Sequence, residues 1–139
     1  ADAATTDAAV AGAAAAVVVV GEGPELSGEA HSVADPSLPA GQAEYLERLL
    51  DAHQSVRIVL LVVSGRPLVL PSCADRCAAL LWSFHPGSEG ARGLVDVLVG
   101  AKEPGGRLPV TIPRSPGQIP LYHDHLPTGR PTDEYHGPG

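Results

Sequence analysis

Residues 58–63 read Ile58-Val59-Leu60-Leu61-Val62-Val63, an unbroken apolar run of β-branched residues and leucine. A half-exposed strand alternates polar and apolar positions. A parallel strand buried on both faces shows a continuous apolar block instead. The run therefore predicts an interior strand, and it stops at a turn, Ser64-Gly65-Arg66-Pro67.

The segments on either side repeat this pattern. Upstream, the valine block Val17–Val20 predicts a buried strand over 16–20, preceded by an alanine-rich helical stretch in residues 1–15. Between the two apolar blocks, Pro39 and Ala40 open a helical pattern that runs to about Ala52. Leu46, Leu49 and Leu50 fall on one face of it, with Glu44, Glu47, Arg48 and Asp51 on the others. Downstream, Ala78–Trp82 predicts a third short strand, with Trp82 expected in the core. A helix over about 89–99 follows, with Glu89 expected to cap it. Leu108–Ile112 predicts an antiparallel edge strand, since Pro109 and Pro113 fit an edge better than a sheet centre. Strands alternating with helices make this an α/β fold, a mainly parallel sheet flanked by helices. The expected division is an α/β domain over 1–113 and an extended Pro/Gly-rich tail or linker over 114–139.

The 139 residues, 44% of them hydrophobic, suffice for one compact domain. Nine basic residues are scattered through a chain of net charge −7, which leaves no footprint for nucleic acid. No stretch reaches the roughly 20 apolar residues of a membrane span. The alanine-rich start lacks a basic region and runs into the valine block, so it does not read as a signal peptide. The compartment is left open between cytoplasm and secretion. Cys73 and Cys77, spaced i, i+4, read as small buried side chains, with a disulfide or half a metal site as the alternatives. The tail histidines His123, His125 and His136 have no supporting ligands at metal spacing, and no cofactor is implied.

The chemistry concentrates in Gly21–Ser32, GEGPELSGEAHS, directly after the valine block. In open α/β sheets ligands bind beyond the carboxyl ends of the strands. That segment carries Glu22, Glu25, Glu29 and His31. It does not match the glycine pattern of a dinucleotide-binding loop.

Together, several blocks carry a family resemblance: VVVVGE (17–22), SGEAHS (27–32), LPAGQ (38–42), SGRPL (64–68), HPGSEG (85–90) and GGRLPVTIPRSPGQIPLYHDHLPTGRP (105–131). In this order and spacing they resemble the C-terminal α/β-sandwich domain of glycoside hydrolase family three, the bacterial β-glucosidases in particular. The resemblance implies part of a six-stranded α/β sandwich. It also implies retaining hydrolysis of a β-linked glucoside or oligosaccharide between two domains. An N-terminal barrel, missing from this chain, would supply the aspartate nucleophile, and a sandwich-domain loop would supply the general acid/base. Glu29 matches that acid/base. Glu22 matches a strand-end Glu expected to support the loop, and His31 and Glu22 are the candidate substrate contacts. The family loop often continues SGEA-x-S-R, and Val33 stands here in place of that Arg; Pro36 replaces a usual aliphatic residue. Arg66 is expected to hold its turn through carbonyl or carboxylate contacts, which suit its planar fork. Retaining hydrolysis needs two carboxyl groups about 5–5.5 Å apart, so the chain is expected to be inactive alone. The rival from another class is a non-catalytic α/β module that binds a partner protein or glycan.

Overall fold

The computed structural model describes residues 3–39, 41–124 and 126. The elements in chain order are α1 (Ala3–Val10), β1 (Ala15–Gly21), α2 (Gln42–Ala52), β2 (Arg57–Val63), β3 (Ala79–Trp82) and α3 (Gly90–Leu98). Single 3-10 turns lie at Pro24–Leu26, Ser72–Arg76 and Pro116–Gln118. The sheet order is β1-β2-β3, parallel throughout. The register pairs Ala15 with Arg57 through to Gly21 with Val63, and Val59 with Ala79 through to Val62 with Trp82. The apolar block 58–63 is thus the middle strand, with Ile58, Leu60, Leu61 and Val62 all buried.

Helix α2 forms because its leucines share one face. Leu46, Leu49 and Leu50 are buried against Val18, Val20, Ile58, Leu60 and Val62 of the sheet. Val10 of α1, with Cys73 and Ala74 of the second 3-10 turn, extends this core. Both cysteines are free thiols, Cys73 buried and Cys77 half-buried. Burial pushes each above its ordinary value of 9.0, which keeps them protonated at neutral pH. On the other face of β1, Val17 is 47% and Val19 61% exposed.

Three expectations are corrected. Residues 108–112 form no strand, so the described sheet has no antiparallel edge. Pro109 and Pro113 remove two N–H donors from a short segment, and Leu108 and Val110 are exposed rather than packed. Glu89 occupies the N-cap position of α3, but its side chain makes no capping hydrogen bond. Trp82 is half-buried and packs at the margin of the core. Of the tail, the turn at Pro116–Gln118 is held by Gln118 Oε1, which accepts from the backbone N–H groups of Arg114 (2.6 Å) and Ser115 (3.3 Å). His125, Tyr135 and His136 lie outside the described residues, as does Ala40.

Helix α1 has no apolar stripe; Val10 anchors its end in the core, and charge ties down the turn before it. Arg48 Nη1 donates to both carboxylate oxygens of Asp7 at 2.8 Å, and His53 Nε2 lies 3.4 Å from Asp7 Oδ1. The hydrogen bond from Arg48 holds the Asp7 carboxyl below its ordinary value of 3.8. A depressed acid contributes stability above its unfolded pKa and loses it as pH falls through the folded pKa. Acid titration of the chain should therefore release α1 below about pH 3.8. Asp7→Asn should abolish that pH dependence; helix-specific amide shifts by NMR provide the check.

At the carboxyl end of β1 the backbone turns so that a side chain on Gly21 would point into β2. Gly21 has φ +139°, and a Cβ there would lie 1.8 Å from the carbonyl oxygen of Val63. Gly21→Ala should cost about 3 kcal/mol or more, since overpacking and an unfavourable φ act together. Urea unfolding of the two proteins measures it.

Candidate functional site

The three parallel strands end on the same side, so their following loops converge there. The loop after β1 begins with Glu22, whose backbone N–H donates to Val63 O at 3.1 Å. Its side chain is only 3% exposed. Oε2 accepts from Ser64 Oγ at 3.0 Å and from Arg66 Nε at 2.9 Å, both in the loop after β2. Ser64 is fully buried, and its Oγ also accepts from the Arg66 N–H at 3.3 Å. A buried carboxylate requires this kind of paired and hydrogen-bonded surrounding.

Arg66 reaches further. Its Nη2 donates to the carbonyl oxygens of Leu26 and His31, the latter at 3.1 Å. These two carbonyls bracket the segment that contains Glu29. Between them the chain makes a tight turn, closed by His31 N–H donating to Gly28 O at 3.2 Å. Ala30 takes φ 64° to complete it. Glu29 and His31 are both exposed at this turn. The sequence expectation for Arg66 holds: its fork grips one carboxylate and two carbonyls.

The far stem of the loop is fixed separately. Asp35 Oδ1 accepts from Ser37 N–H (3.0 Å) and Ser37 Oγ (2.6 Å), which holds the Asp35 carboxyl low. Val69 N–H donates to Pro36 O at 2.8 Å, and Ser37 and Val69 form a parallel bridge. Pro36 is buried beneath them and Val33 is half-buried.

Four participants escaped sequence reasoning. Gln42, at the start of α2, donates from Nε2 to Gly21 O (2.8 Å) and accepts from Gly21 N–H at Oε1 (2.7 Å). It thus satisfies both backbone groups of the strand's last residue. In the sequence Ser64 reads only as part of a turn. Ser27 and His85 meet across two loops, Oγ to Nε2 at 3.1 Å. The blocks SGEAHS, LPAGQ, SGRPL and HPGSEG contain these residues, but do not say which atoms they meet. Among the described residues no group of three or more His, Cys, Asp or Glu is placed to hold a metal ion.

Residues 1–137 match the glycosyl hydrolase family 3 C-terminal domain. The chain belongs to glycoside hydrolase family 3. As such a domain it is similar to the periplasmic beta-glucosidase of Salmonella typhimurium, 39% identical over 115 residues that make up 83% of this chain and 15% of that protein. It is 38% identical over 116 residues to the lysosomal beta glucosidase of Dictyostelium discoideum, covering 81% of this chain and 14% of that one. The crystal structure of beta-glucosidase from Listeria innocua in complex with isofagomine superposes with a TM-score of 0.85 at 36% identity, over 98% of this chain and 19% of that chain. The family 3 domain described here therefore spans less than a fifth of each of these relatives. Among its described residues, no helix is long and apolar enough to cross a membrane.

Arg66→Ala should leave the Glu22 carboxylate buried without its cation and release two loop carbonyls. The expected loss is about 3–5 kcal/mol. Arg66→Lys should recover only a fraction, because a point charge cannot serve acceptors on two sides. Denaturant midpoints of the three proteins decide this.

Proposed function

We propose that this chain is the sandwich-domain portion of a retaining β-glycosidase of the β-glucosidase type, and that Glu29 is its general acid/base. The observation that carries the reading is the contrast between two glutamates of one loop. Glu22 is buried and committed to Ser64 and Arg66, whereas Glu29 is exposed on a turn whose two stems are pinned by Arg66. A carboxyl group that must reach a substrate held by another domain needs that presentation: a free side chain on a fixed backbone.

In this mechanism a barrel domain outside the chain holds a β-linked glucoside and supplies the nucleophile. Glu29 protonates the leaving oxygen as the glycosyl–enzyme bond forms, then removes a proton from the attacking water. An acid of this kind must keep its proton near neutral pH, and burial of the loop against the partner domain provides the desolvation. Glu22 acts as the loop's anchor, and any effect it has on substrate passes through Arg66 and the turn. His31, two residues beyond Glu29 and exposed, can contact a sugar hydroxyl at the rim. Val33 is half-buried beyond the turn, and Arg66 supplies the cationic contact to the loop.

The test joins this domain to the barrel of the Salmonella relative and measures hydrolysis of a fluorogenic β-glucoside. Glu29→Gln should lower turnover by about 10²–10⁴-fold. The loss should be much smaller with a dinitrophenyl β-glucoside, whose leaving group needs no proton. Equal losses on both substrates would remove the acid role from Glu29. The chain by itself should give no turnover; turnover by the isolated chain that vanishes in Glu29→Gln would show a self-sufficient enzyme instead.

A further inference from the structure

Arg66 pins both stems of the Glu29 turn through carbonyl groups, but the first stem has a second contact from a different direction. Ser27, two residues before Glu29, meets His85 of the loop after β3, Oγ to Nε2 at 3.1 Å. The loop that presents His85 is itself braced. Gly90 N–H donates to Gly87 O at 3.1 Å, and Pro86 lies so close to Gly90 that a Cβ there would come within 2.4 Å of the proline ring. His85 thus lies in a braced loop between the end of β3 and the start of α3.

Gly65, in the loop after β2, lies beneath the contact. A Cβ at Gly65 would lie 2.5 Å from Ser27 Oγ and 2.6 Å from His85 Nε2. Its φ lies outside the left-handed range, so the position demands space rather than a special backbone conformation. All three strand-end loops therefore meet at one point: one supplies the serine, one the room and one the imidazole.

We infer that His85 is a positioning residue for the Glu29 turn: through Ser27 it fixes the turn's first stem, in space that Gly65 leaves open. This rests on the reading of Glu29 as the acid/base, but the contact itself is testable without catalysis. From the β2 side Ser64 and Val63 hold the loop at Glu22 and Val69 holds it at Pro36, while Arg66 reaches the two stems of the turn itself through their carbonyls. The contact with His85 adds a hold on the first stem from the β3 side. It acts on the orientation of Glu29 and not on its charge.

A glutamate-specific protease supplies the readout, because cleavage after Glu29 requires the turn to open. Cleavage after exposed Glu103 is the internal reference, and cleavage after Glu47 in α2 reports global unfolding; mass spectrometry separates the three. His85→Ala and Ser27→Ala should each raise cleavage after Glu29 about two- to ten-fold, the scale of one net hydrogen bond. The double variant should show no more than the larger single effect. Gly65→Ala should reproduce the increase by wedging the pair apart. His85→Gln, which keeps a polar nitrogen near the place of Nε2, should restore most of the protection. Unchanged cleavage after Glu29 in all three disrupting variants overturns the inference, as do additive effects in the double variant. Should His85→Ala raise cleavage after Glu47 as well, Gly65→Ala and His85→Gln decide the matter. Failure here leaves the acid role of Glu29 standing, and failure of the turnover test leaves this contact standing.

Discussion

A carboxylate taken out of water must recover its hydration from protein groups, and Glu22 imposes that demand where β1 ends. The demand is met by a hydroxyl and a guanidinium from the loop after β2. Once Arg66 is held there, its remaining N–H groups face the loop after β1 and bind the carbonyls of Leu26 and His31. The path of an otherwise irregular loop thus follows from one buried charge. Such a pair adds little net stability over an apolar replacement, because desolvation offsets most of the Coulomb attraction. Its effect is geometric: it dictates where the Glu29 turn projects.

The backbone at Gly21 makes this possible. At φ +139° it turns the end of β1 in a way a side chain would block, and Glu22 enters the strand-end cluster at the level of Ser64. Gln42 then closes the last backbone groups of β1 from the α2 side. Apolar packing of α2 against β1 and β2 builds the platform, and the polar network at the carboxyl end is mounted on it. The two halves are coupled through Gly21, which belongs to both. The opposite face of β1, with Val17 and Val19 exposed, contributes nothing to this network.

Much of the fold was legible in the sequence. The block 58–63 read as a doubly buried strand and is the centre of the sheet. Leu46, Leu49 and Leu50 read as one helical face and are buried together. These signals are local periodicities, and burial rewards them directly. Residues 108–112 misled because apolar content does not make a strand when two prolines remove ladder donors. The Glu89 cap misled because position and charge do not orient a side chain. In the site, the family blocks singled out Glu22, Glu29 and Arg66, but residue type alone could not say which glutamate is buried.

The amino-acid sequence by itself determined the parallel sheet, its amphipathic helix and the identity of the loop that carries the carboxylates. Hydrophobic periodicity and turn chemistry are written in neighbouring residues. Only the tertiary structure decided that Glu22 is consumed within the protein while Glu29 is presented outward, and that Ser27 meets His85 across 58 residues of chain. Those outcomes depend on which strand ends come together, and desolvation acts on a side chain only after distant segments have closed around it.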